Sequence, residues 1–93
     1  MSRPPLNALH TFAAVARLGS FAAAAEELHV TAAAVSGQIR KLEAYLELKL
    51  FDREPRGVAL TDAGTALRDE VSAGLDAVER AVLALRKRPQ RER

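Results

Sequence analysis

Ninety-three residues are enough for one small domain with its own core, but not for that core and a second folded unit. The chain has no cysteine, and its two histidines, His10 and His29, stand nineteen positions apart, which argues against a disulfide framework, a Cys-based zinc site or a His-rich metal centre. The net charge of +2 is unevenly spread: residues 86–93, RKRPQRER, hold five basic side chains and one acidic, leaving nine basic against eleven acidic in the other 85 residues. A pI near 9.5 therefore does not by itself license nucleic-acid binding.

No apolar run approaches the ~18 residues needed to cross a membrane. The opening MSRPPLN also lacks the apolar centre of a signal peptide. The expected compartment is the cytoplasm, with no membrane partner. GxSxG, HExxH, P-loop and clustered-carboxylate patterns are all missing, so neither an enzyme nor a bound cofactor or metal is expected.

Helical spacing of Leu6, Leu9, Phe12, Ala13 and Ala16 predicts a first helix over 6–18, with Pro5 suited to its first turn and Gly19 to its stop. Ser20 is the next N-cap. Phe21, Ala24, Ala25 and Leu28 then predict a second helix, whose alanines let helices cross closely. His29 and Val30 are the whole connection to the next cap, Thr31, and so short a link between amphipathic helices forces the helix-turn-helix corner.

From Thr31 to Leu46 the apolar residues Val35, Ile39, Leu42 and Leu46 recur at four, three and four, stacking on one stripe of a third helix. The opposite face carries Ala33, Gly37, Arg40, Lys41 and Ala44, with Ser36 and Gln38 toward its edges. Short side chains beside a few cations suit close approach to another molecule. Next come two β-prone runs, Leu50–Arg53 and Gly57–Leu60, flanking a tip of Glu54, Pro55 and Arg56. Thr61 caps a fourth helix that Asp62 opens.

Along that helix Leu67, Val71, Leu75, Val78, Val82 and Leu85 recur at four, four, three, four and three, close to a coiled-coil seam. About 25 helical residues span roughly 38 Å, longer than so small a head. The far half therefore predicts a homodimer through these six residues, the alternative being a seam that folds back on its own head. Three units are expected: a head over 1–61, a linker and dimerisation helix over 62–88, and a basic, disordered tail over 89–93.

The order of parts and many residues in fixed register resemble the N-terminal DNA-binding domain of LysR-type transcriptional regulators. The matching positions are Phe12 with Ala16, Gly19-Ser20-Phe21, Ala24-Ala25-Glu26, Val35-Ser36, Gln38-Ile39, Leu42-Glu43, Leu50-Phe51, Arg53, Leu60-Thr61 and Ala63-Gly64. Within the family, PPLNAL and HVTAAAVS look most like the branch containing the glycine-cleavage and β-lactamase activators. The resemblance implies a mainly α fold: a winged helix-turn-helix of three helices and a two-stranded wing, followed by a long dimerisation helix. It implies a dimeric bacterial regulator binding double-stranded DNA at the nucleoid, with higher oligomers in a full-length protein. Family members usually continue into a periplasmic-binding-protein-like effector domain, so a small effector is expected only where such a domain follows.

Carried onto this chain, the resemblance puts base reading at Ala32, Ala33, Ser36 and Gly37, with Gln38, Arg40 and Lys41 nearer the phosphates. Wing residues Arg53 and Arg56 are expected at phosphate and in the minor groove respectively, or else as ordinary surface charge. Ser20, Thr31 and Thr61 are helix caps whose positions also suit phosphate. Family members commonly have Gln where this chain has Ala32, Pro or Ser at Ala33, and Arg, His or another large polar residue at Gly37, so direct hydrogen-bond readout is weakened here. Specificity then shifts toward Ser36, Arg40, DNA shape and the wing. The competing reading is a winged-helix interaction and dimerisation module that binds DNA only nonspecifically.

Overall fold

A computed structural model describes residues 3–55 and 57–87. Four helices and one hairpin follow in order: α1 (Leu6–Leu18), α2 (Phe21–Leu28), α3 (Ala32–Leu46), β1 (Phe51–Glu54), β2 (Gly57–Leu60) and α4 (Asp62–Lys87). Caps mark the boundaries that the sequence predicts. Ser20 Oγ accepts from Ala23 N–H and Thr31 Oγ1 from Ala34 N–H, both at 3.0 Å, each satisfying one orphan donor of a first turn. Gly19, His29 and Glu47 close α1, α2 and α3 in the left-handed region, at φ 69°, 60° and 57°.

The core lies where α1, α2 and α3 cross and the start of the wing closes over them. Phe12 and Val15 of α1, Ala24 and Ala25 of α2, and Val35, Ile39 and Leu42 of α3 are all buried, together with Leu50 and Phe51. Two small residues on α2 suit the close crossing predicted for its alanine run. The apolar stripe of α1 differs from expectation. Phe12 is buried and Leu9 and Ala16 pack against the core, but Leu6 is 69% exposed beside a groove toward Val71, Leu75 and Val78 of α4, and the core also takes Ala8 and Val15.

The hairpin is antiparallel, pairing Phe51 with Leu60 and Glu54 with Gly57, so Glu54, expected in the tip, is instead the last residue of β1, its backbone paired across the ladder. Its first strand begins one residue later than predicted. Leu50 is buried at the end of the ladder: its C=O accepts from Thr61 N–H at 3.0 Å, the next position in the register, but its N–H leaves the ladder and donates to Glu43 Oε2 at 2.8 Å. Leu50 is thus a junction residue rather than a strand residue.

The start of α4 presses against that junction. Thr61 Oγ1 donates to the Lys49 carbonyl at 2.7 Å and accepts from Gly64 N–H at 3.0 Å. Gly64 is buried so tightly that an added Cβ would stand 2.1 Å from the Leu50 carbonyl oxygen and 2.9 Å from Leu60 Cδ2. Glycine is required there by space, not by φ. Beyond this contact α4 leaves the head, and the molecule extends over 57 × 32 × 20 Å. The expected seam is divided accordingly. Leu67 and Val71 pack against the head's own core, whereas Val78, Val82 and Leu85 are 59%, 49% and 64% exposed.

Gly64→Ala is expected to lower unfolding stability by about 3 kcal/mol, because the obstructing atom is backbone and cannot rotate away. A urea midpoint indistinguishable from that of the parent chain would contradict the close contact.

Candidate nucleic-acid interface

One flank of α3 and the adjoining strand β1 bring two arginines together. Ser36 is their meeting point. Arg40, one turn further along α3, donates from Nη1 to Ser36 Oγ at 2.8 Å, and Arg53 on β1 donates from Nη2 to the same oxygen at 3.5 Å. Helical geometry explains the first contact, since residues four apart share a face. The second depends on the wing being folded back against the helix. Among the described residues no ion pair involves Arg40, Lys41 or Arg53. Arg53 forms no ion pair with its neighbours Asp52 and Glu54.

The outward face of α3 is shallow. Ala32, Ala33, Arg40 and Lys41 are exposed, Gly37 is half-buried, and a Cβ at Gly37 would meet nothing within 4 Å. This glycine is therefore not demanded by packing within the chain. At the helix start, Thr31 is exposed, its hydroxyl oxygen already accepting the capping bond. Ser20 is a half-buried cap of the same kind at the start of α2.

Two residues expected at phosphates sit differently. Gln38 is half-buried on the flank away from the wing, beside Thr11, Leu28 and Val30, and its Oε1 is buried with no hydrogen-bond partner among the described residues. Such a position turns the amide toward α1, because 100° per residue carries position 38 away from the Ser36–Arg40 flank. Thr61 spends its hydroxyl on Lys49 and Gly64, so its role here is that of a cap and latch. Arg56 lies outside the described residues, as does the tail over 89–93.

Two side chains that sequence reasoning left without a site role set this geometry. Glu43, half-buried on α3, accepts from both Leu50 N–H and Phe51 N–H, at 2.8 and 3.4 Å, and so ties the wing to the helix that carries Ser36 and Arg40. Phe21 of α2 lies under the Arg53 guanidinium, whose central carbon is 4.8 Å from the ring centroid. Glu43 looks in sequence like an ordinary polar helix residue, and Phe21 like part of a core stripe. Only the approach of β1 gives them these partners.

The description "Bacterial regulatory helix-turn-helix protein, lysR family" belongs to a family model that matches residues 6–65, from α1 into the first turn of α4. The chain belongs to the LysR family. Its helix-turn-helix head is the DNA-binding domain of that family. The LysR-family chain is 56% identical to the HTH-type transcriptional regulator TrpI of Pseudomonas aeruginosa over 82 residues, 86% of this chain and 27% of that protein. It is 61% identical to the glycine cleavage system transcriptional activator of Escherichia coli over 61 residues, 66% of this chain and 20% of that protein. These relatives are transcriptional regulators, and the chain spans about a quarter of their length. Among solved structures it is similar to the CbnR_DBD-DNA complex, with a TM-score of 0.78 and 36% identity over 88% of this chain and 94% of that one. No described helix of this LysR-family chain is long and apolar enough to cross a membrane.

Glu43→Ala should loosen the wing at the cost of about 1–2 kcal/mol, since two backbone N–H groups lose a charged acceptor at a half-buried site. Urea unfolding measures the loss, and amide exchange at Leu50 and Phe51 should rise with it. Unchanged protection at both amides would remove the assigned role.

Proposed function

We propose that this chain binds double-stranded DNA sequence-specifically as a homodimer, with α3 in the major groove and the β1–β2 wing at the adjacent backbone or minor groove. The observation that carries this reading is the Ser36 cluster: two arginines from different elements converge on one exposed helix flank, and no carboxylate among the described residues neutralises them. In this reading Arg40, Lys41 and Arg53 meet phosphates or base edges, and Ser36 reads a base. Ala32, Ala33 and Gly37 let the helix lie close enough for methyl contacts with thymine. Ser20 and Thr31 offer helix N-termini to the phosphate backbone. Such a protein works in the bacterial cytoplasm at the nucleoid, and it is not an enzyme.

The second copy is proposed to pair along the outer half of α4. Val78, Val82 and Leu85 are solvent-exposed on one side of that helix, and the groove of Leu6, Leu9 and Leu75 lies next to them. Exposed apolar side chains repeating at helical spacing are stabilised by burial against a like surface. Leu67 and Val71 contribute indirectly, by anchoring α4 on the head.

Selection from a random duplex library should enrich a two-fold symmetric site. Arg40→Ala should then weaken binding to it by about tenfold and flatten the salt dependence by about one ion per protomer. Competition by random DNA at equal potency would leave only the interaction-module reading. Val78→Glu with Val82→Glu should convert the dimer to a folded monomer in sedimentation, whereas a dimer persisting at low micromolar concentration would place the interface elsewhere.

A further inference from the structure

Arg53 leaves the wing at β1 and touches two other elements. Its guanidinium lies over the Phe21 ring of α2, 4.8 Å from the centroid, and reaches Ser36 Oγ of α3 at 3.5 Å. Phe21 meets Phe51 edge-on, at 6.2 Å between centroids and 85° between planes. Phe51 in turn packs on the buried Phe12 at 5.4 Å. Three aromatic rings thus run from the core to the surface and end beneath one arginine. With no ion pair to Arg53 among the described residues, the ring face and the Ser36 hydroxyl are what orient this charge.

We propose that Phe21 is a positioning residue for DNA binding: its ring holds the Arg53 guanidinium against the recognition helix before a duplex arrives, without itself touching the duplex. A free arginine on a two-stranded wing would sample many rotamers and lose that freedom on binding. An arginine already stacked on a ring has lost most of it during folding, so more of its contact energy appears as affinity. The ring quadrupole supplies the attraction, and the edge contact with Phe51 fixes the plane of the ring. Position 21 therefore acts on DNA affinity through position 53, across 32 residues of sequence.

This inference rests on the DNA-binding reading, and its test separates the two. In the DNA-free chain, proton NMR should show ring-current shifts on the Arg53 δ-methylene of the wild type that disappear in Phe21→Leu. On the duplex recovered by selection, Phe21→Leu should weaken binding about two- to fivefold. Phe21→Tyr, which keeps the ring, should stay within about twofold of the wild type, and Phe21→Leu should cost nothing further in an Arg53→Ala background. Equal losses from Phe21→Leu in both backgrounds, or unshifted Arg53 protons in the wild type, would overturn the proposal and leave Phe21 as core packing. Wild-type chain that binds no duplex, with the ring-current shift intact, would instead remove the DNA-binding reading and the inference with it.

Discussion

Everything in the head is registered against three residues, Lys49, Leu50 and Phe51. Glu43 from α3 accepts from the N–H groups of Leu50 and Phe51, Thr61 bonds the carbonyls of Lys49 and Leu50, and Gly64 lies against the Leu50 carbonyl with no room for a methyl group. The side chains of Leu50 and Phe51 meanwhile fill the core. One short segment therefore sets the angle of the recognition helix, the base of the wing and the exit of α4. These bonds are directional, and buried backbone polar groups that lose a partner are costly, so the three elements cannot drift independently. A carboxylate and a glycine do here what a larger hydrophobic core would do in a bigger domain.

That registration is what makes a site out of dispersed cations. Arg40 reaches Ser36 by helix periodicity alone, but Arg53 arrives only because Glu43 holds β1 against α3. The Ala32–Ala33–Gly37 face beside them offers few polar groups, so in the proposed DNA-binding reading discrimination falls on the flank where the wing adds its charge. The departure of this helix from the family's usual long polar side chains and the convergence of two arginines on its edge are thus complementary features of one surface.

α4 belongs to two structures at once. Its first three turns are part of the head, through Gly64, Leu67 and Val71, and its later turns expose Val78, Val82 and Leu85. A continuous heptad-like pattern conceals that division, because the same spacing serves packing on α1 and the exposed outer stripe proposed to meet a second copy. In the proposed dimer, α4 couples the placement of its outer half to that of the head, as spacing two α3 helices along a duplex requires.

Local chemistry determined much of this protein without help from tertiary contacts. Ser20, Thr31 and Thr61 announce helix starts because their hydroxyls satisfy N–H groups three residues away, and the stripe of Val35, Ile39 and Leu42 follows from the helical period. The register of matched residues carried the resemblance to the family for the same reason, since it records positions along the chain. What the tertiary structure alone decided is which side chains meet across long separations. Gln38 turned toward α1, the Leu50 N–H left the ladder for Glu43, Leu67 and Val71 joined the head, and Phe21 came to lie under Arg53. None of these is a periodic property; each depends on a contact between elements whose relative placement is fixed only when the core closes.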